Sequence, residues 1–361
     1  MDRIMKQEYR NLSLVPRMVF GRGCFNQLGD ILAPRRESGR MLFLVDDVLE
    51  HTGFADRLPM EKGDLLIWVN VDDEPSTKLI DSLKSRATEQ LGENPSAVIG
   101  IGGGSVMDTA KAVSVMLANP GSSAGYQGWD LVKNRAIYHV GIPTISGTGA
   151  EVSRTAVLTG PIRKLGINSD YSVFDQIVLD PDLLHGVPSD QRFYTGMDCY
   201  IHCVESLRGG FINAFSRAYA EKAMDICREI FLEDWKRESE EKLMMASLFG
   251  GLSITYSQVG VCHALSYGLA YVLKVHHGIG NSLVFDYLED FYPDEVVEFR
   301  RMCKWQDIQI PRGVTKGIPE ADLTRMIDIA LTLDPLWENA LGPDWKEIMT
   351  RDRLKGLYEM M

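Results

Sequence analysis

The sequence predicts an α/β half followed by an all-helical half, and three observations carry that prediction. Short runs of branched apolar residues, Met41–Asp46 (MLFLVD), 65–71 (LLIWVNV) and 97–101 (AVIGI), alternate with polar segments of helical period. From about Asp180 onward the pattern becomes long and helical, over 215–231, 239–258 and Val261–Leu273. Between the two lies DPDLLHGVP, where Pro181 and Pro188 read as a hinge and place the halves at 1–182 and 183–361.

The runs at 41, 65 and 97 each resemble a strand buried on both faces, and further strands are expected at 138–143 and 177–179. Between the second and third, residues 76–91 carry Leu79, Ile80, Leu83, Ala87 and Leu91 on one helical face. Strands alternating with helices imply a parallel sheet with crossover connections. A cleft between the halves is the expected place for a site.

At 361 residues, with 45% apolar and 24% charged residues, the chain has ordinary globular composition and length for two domains. A net charge of −12 repels nucleic acid and anionic membranes at long range and argues against both as partners, while an anionic small-molecule substrate would need only a few local cations. Six scattered cysteines, and an N-terminal MDRIMKQEYRNL without a secretory apolar core, suggest free thiols in a reducing cytoplasm. Residues 243–273 lack any Asp, Glu, Lys or Arg, but four glycines and several hydroxyl residues punctuate them. They read as helices buried in a soluble domain, not as a membrane span. A homodimer is the default assembly.

The first chemistry lies in IGIGGGSVMDTAKAV. A strand ends at Ile101, Gly102, Gly103 and Gly104 turn the chain, and Ser105 is expected to cap a helix running to Ala118. Glycines let a backbone approach a diphosphate, and the free amides of a helix start favour its charge. The competing reading is a tight turn without a ligand. Asp46, after the strand MLFLV, could grip ribose hydroxyls and would repel a 2′-phosphate, favouring NAD over NADP; it could equally be a loop acid beside Asp47. The loop 143–151 (PTISGTGAE) again mixes glycine with hydroxyl residues, which either turn chemistry or closure over a cofactor would explain.

The second chemistry lies in the helical half. Asp198 and His202 in GMDCYIHCVES are four apart and share a helical face. His263 lies in GVCHALSYG and His277 in VHHGIGN. One carboxylate with three imidazoles suits Fe(II) or Zn(II) and leaves a position open for substrate oxygen. Alternatives stay open on these grounds: each histidine could be an ordinary core or surface group, His276 competes with His277, and Cys199 with Cys203 forms a rival i, i+4 pair.

Together, GGGSVMDTAK, PTISGTGAE, the DPDLL hinge, GMDCYIHCVES and the HALSYG…HHGIGN pair resemble the iron-containing (group III) alcohol dehydrogenase family in order and spacing. The resemblance covers nearly the whole chain. It implies a dehydroquinate-synthase-like fold, with an N-terminal Rossmann-like domain and a C-terminal helical metal domain. It implies metal ligands at Asp198, His202, His263 and His277. It further implies cofactor contacts from Gly102, Gly103, Gly104, Ser105 and Asp108, from Thr144, Ser146 and Thr148, and from Lys164; Lys111 matches the family's D-x-x-K lysine. One departure stands out: members often carry HAxxH, and here the last position is Tyr267, a poor proton acceptor at neutral pH that can still donate a hydrogen bond.

Within the family, PRMVFGRGCFNQLGDILAP and Tyr267 are most similar to the branch that oxidises the 8-hydroxyl of 3-deoxy-D-manno-octulosonate (Kdo) for lipopolysaccharide synthesis. That implies a sugar-acid primary alcohol oxidised to an aldehyde by hydride transfer to NAD. Arg154, Arg163, Lys164 and Arg208 are then candidates for the substrate carboxylate. The alternatives are a general alcohol, diol or glycerol dehydrogenase, a sugar-phosphate cyclase, and a nucleotide-binding protein without activity. The cyclases pair a glutamate with two histidines, unlike the set here.

Overall fold

The computed structural model describes residues 13–37 and 39–361. The N-terminal MDRIMKQEYRNL lies outside these residues. The chain separates into two compact units, one running up to Thr144 and including Ala150–Leu183, the other formed by Ile145–Gly149 with Leu184–Met361.

The first unit is built on a six-stranded parallel sheet. Its strands are β1 (Met18–Phe20), β2 (Met41–Asp46), β3 (Leu65–Val69), β4 (Ala97–Gly102), β6 (His139–Pro143) and β9 (Gln176–Leu179), in the order β1-β9-β6-β4-β2-β3. A second sheet joins the two-residue β5 (Gly128–Trp129) to the antiparallel pair β7 (Thr155–Thr159) and β8 (Lys164–Asn168). Every residue of β2, β4, β6 and β9 is buried. Helices cover both faces of such strands, so no polar alternation is needed, and each fully buried side chain such as Phe43 contributes about 1.5–3 kcal/mol.

Three helices of this unit are α1 (Leu28–Arg36), α2 (Thr77–Leu91) and α3 (Gly104–Ala118). The Ser76 hydroxyl accepts from the Leu79 amide and starts α2, and Gly92 at φ +72° ends it. The expected cap of α3 is corrected by the structure. Gly103, not Ser105, holds the N-cap position and offers no side chain, so Ser105 falls inside the first turn. The free amides of that turn therefore stay uncovered by any capping side chain. Further along α3, Lys111 Nζ donates to Ser153 Oγ (3.0 Å) and to the Thr155 carbonyl (2.9 Å). Asp108 accepts from the Val157 amide (3.0 Å), so the two charged residues tie α3 to β7.

The second unit is helical. Its central helix α4 (Ser189–Arg208) packs against α5 (Ala214–Phe231), α6 (Arg237–Tyr256) and α8 (His277–Phe285), and α7 (Val261–Leu273) packs against α8. Later helices run from Pro293–Trp305 to Arg351–Met360. The charge-free stretch is broken at 257–260 into the ends of α6 and α7, and among the described residues no helix is long and apolar enough to cross a membrane.

Candidate functional site

Helix α4 presents Asp198 and His202 from successive turns, α7 presents His263 from its first turn, and α8 presents His277 at its first residue. Three imidazole nitrogens converge on one carboxylate oxygen. The Nε2 atoms of His202, His263 and His277 lie 3.5, 3.5 and 3.7 Å from Asp198 Oδ1. One donor atom from each of the four residues lies within 4.8 Å of all the others. Bonds of about 2.1 Å in a tetrahedral site put ligand atoms roughly 3.4 Å apart, so a modest contraction would close this group on a divalent ion. Asp198 is fully buried and its Oδ2 has no hydrogen-bond partner, while His277 keeps 23% of its side chain exposed and marks the open side.

The electrostatics favour a cation. Burial alone would raise the Asp198 carboxyl, but the imidazoles of His202, His277 and His263 outweigh it and hold the group well below the usual range. Burial pushes His202 down to about 4, leaving its nitrogens neutral and able to ligate. Burial works the same way on His263, but Glu205 and Asp198 reverse it and lift that imidazole to about 9.

Glu205 was not singled out from the sequence. Its Oε2 lies 2.5 Å from His263 Nδ1, and its Oε1 accepts from the Cys262 amide (2.6 Å). One carboxylate thus satisfies the start of α7 and fixes the His263 tautomer that turns Nε2 toward the centre. A signal was present, because Asp198, His202 and Glu205 follow the 4-then-3 spacing of one helical face. Replacing Glu205 with Gln is expected to weaken metal affinity about 10–100-fold in chelator competition. An unchanged affinity would show that the carboxylate does not act through His263.

The rival ligands are placed elsewhere. His276 is exposed at the N-cap of α8, one residue before the side chain that faces inward. Cys199 donates to the Ala246 carbonyl (3.1 Å) and lies 4.0 Å from Cys227, and its neighbour Cys203 and its burial keep the thiol protonated. These thiols fill the packing of α4 against α5 and α6. Tyr267, one turn beyond His263, is half-buried, with its ring centroid 6.2 Å from that of His263 and 6.0 Å from that of His277.

In the first unit, Asp46 ends β2 beside the glycine turn. A Cβ on Gly102 would lie 2.6 Å from Val106 Cγ2 and 3.0 Å from Asp46 Cβ, so only glycine fits between them. The Asp46 carboxylate accepts from the Val48 amide (3.1 Å), and burial raises it. Gly103 and Gly104 open α3, with Ser105 in its first turn. The Thr144 amide donates to the Gly102 carbonyl (3.0 Å), which places that threonine at the same end of the sheet. Ser146 and Thr148 belong instead to the segment that joins the helical unit. Asp108 is committed to Val157, and Lys164 is buried and paired with Glu74 at 2.6 Å.

Comparison with known proteins identifies the family. The iron-containing alcohol dehydrogenase model matches residues 16–181, and that family's C-terminal model matches residues 192–332. The chain belongs to the iron-containing alcohol dehydrogenase family, oxidoreductases that act on CH–OH groups. It is 32% identical over 215 residues to the sulfoacetaldehyde reductase of Bilophila wadsworthia, a match spanning 58% of this chain and 55% of that one. It is 29% identical over 287 residues to the NAD-dependent methanol dehydrogenase of Bacillus methanolicus, covering 76% and 73%. Its fold matches sulfoacetaldehyde reductase from Bifidobacterium kashiwanohense, solved in complex with NAD+, with a TM-score of 0.79, 21% identity and 98% of both chains covered.

Proposed function

We propose that the protein is an NAD-dependent dehydrogenase of small primary alcohols, with Fe(II) or Zn(II) held by Asp198, His202, His263 and His277. The observation that carries this reading is the convergence of three imidazole Nε2 atoms on one buried carboxylate oxygen. A divalent ion bound there supplies Lewis-acid polarisation of an alcohol or carbonyl oxygen. The chain supplies the rest. Glu205 orients His263, and the exposed flank of His277 leaves a side for substrate. The Tyr267 phenol, its ring 6.0 Å from that of His277, is proposed to donate a hydrogen bond to a substrate oxygen in place of a histidine relay. The turn at Gly102, Gly103 and Gly104, with the first amides of α3, is suited to the cofactor diphosphate. Ser105, Thr144, Ser146 and Thr148 are proposed to border the cofactor. Asp46 is proposed to favour NAD over NADP, since a carboxylate there repels a 2′-phosphate. Asp108 and Lys164 act in this reading by bracing α3 and β8 behind the loop.

The named activities of the relatives support a small substrate: an NAD-dependent methanol dehydrogenase, and reductases of sulfoacetaldehyde. The narrower Kdo expectation gains nothing from them. Three of its candidate cations are already committed, Arg154 to Asp130 and Asp170, Lys164 to Glu74, and Arg208 to Glu295. The test is anaerobic purification with metal analysis, followed by NADH formation from methanol, propanediol, glycerol and Kdo, and NADH consumption with sulfoacetaldehyde. Turnover of a small alcohol or aldehyde is expected. Turnover of Kdo alone would restore the narrower reading, and conversion of a sugar phosphate without net NADH would make the protein a cyclase.

A further inference from the structure

The centre contains one polar group that neither the motif spacing nor the four-ligand assignment explains. Asn281 lies one turn after His277 on α8 and is fully buried. Its amide nitrogen points into the group, 2.6 Å from Asp198 Oδ1, 3.0 Å from His263 Nε2 and 3.3 Å from His277 Nε2. Its amide oxygen faces away and has no hydrogen-bond partner. The orientation is dictated by Asp198, since an inward amide oxygen would lie 2.6 Å from a carboxylate oxygen with no proton between them.

We infer that Asn281 is a positioning residue of the metal centre, holding Asp198 through Oδ1. The inference rests on the four-residue site proposed above. A carboxylate oxygen carries two lone pairs. One can face an ion while the other continues to accept from Asn281, so this hydrogen bond survives loading. Each imidazole Nε2 has a single lone pair, so its contact with the amide must be given up when an ion binds. The amide therefore fixes the rotation of the Asp198 carboxylate within the group. A lysine or arginine could brace the carboxylate too, but its charge would compete with the ion. A neutral donor avoids that conflict.

The test compares Co(II) binding to the full-length wild type with that to Asn281→Ala and Asn281→Leu, by chelator competition and visible absorption. Leucine nearly preserves side-chain volume while removing the donor, so a loss shared by both variants cannot come from a cavity. Thermal melting of each metal-free protein checks folding. The expected result is about a 10–100-fold weaker Co(II) affinity in both variants, with an unchanged absorption envelope for the bound ion. Affinity equal to wild type in both variants overturns the inference. Stronger absorption in the variants, the mark of a lower coordination number, also overturns it, because Asn281 would then be a direct ligand through its oxygen. A wild type that takes up no Co(II) refutes the site assignment itself, and this inference with it.

Discussion

Replacing Asp198 or His263 with alanine is expected to abolish metal retention and to lower turnover by about 10³-fold or more. The magnitude follows from the several kcal/mol that a Lewis acid contributes to a transition state, at roughly 1.4 kcal/mol per tenfold in rate. Asp198 is the residue on which all three imidazoles converge, and without it the buried group holds no charge opposite to the ion's. His263 is the ligand whose far nitrogen is anchored by Glu205, so its loss also strands a second buried carboxylate. Such a stranded charge is costly, and His263→Ala should therefore lower the melting temperature more than a typical surface substitution. Metal analysis, steady-state kinetics and thermal melting check all three effects. Retention of both metal and turnover would mean that the ion sits elsewhere.

The second large effect is expected at Gly147, and it is structural. Gly147 adopts φ +146°, and a Cβ there would lie 1.8 Å from the carbonyl oxygen of Thr195 and 2.9 Å from the Gly196 amide nitrogen. Both contacts are backbone of α4, one turn before Asp198, so no side chain can move aside. Gly147→Ala is expected to destabilise the protein by more than about 3 kcal/mol, or to prevent folding. Gly186 offers the control: its φ is +86° and a methyl group there would meet nothing within 4 Å, so Gly186→Ala should cost only the backbone strain of about 1–2 kcal/mol. Scanning calorimetry of the two variants decides the matter. Equal effects would refute the close approach of residues 145–149 to α4.

Two glycine loops that look alike in sequence therefore differ in what their glycines do. In the first, Gly102 makes room between Val106 and Asp46 at the end of a strand, and uncapped helix amides follow. In the second, PTISGTGAE, Gly147 lets the chain lie against the backbone of α4. Turn chemistry is a sufficient local explanation for this loop, but the particular partner is 48 residues away and invisible to local reading.

Much of the architecture was legible because burial leaves a periodic trace. Strands covered on both faces read as unbroken apolar runs, and Val261–Leu273 was delimited by the glycine before it and the lysine after it. Four strands escaped notice: β5 has only two residues, and β8 is buried but carries Lys164, Gly166 and Asn168 among two apolar residues. β1 has three residues with its outer two exposed, and β7 alternates like any half-buried polar segment. The choice between His276 and His277 rested on resemblance, because the two are adjacent and only the point where α8 begins sets which imidazole faces inward. Glu205 and Asn281 stood inside quoted motifs, yet their partners His263 and Asp198 lie on other helices.

By itself, then, the sequence determined the alternation that builds the parallel sheet, the helical second half, and a set of residues chemically able to bind a divalent ion. The tertiary structure decided which groups lie around that set: Glu205 behind His263, Asn281 against Asp198, Tyr267 beside His277, and the cysteines turned into packing. The physical reason is that residue type and period are local properties, whereas a ligand's direction depends on hydrogen bonds made across helices far apart in the chain.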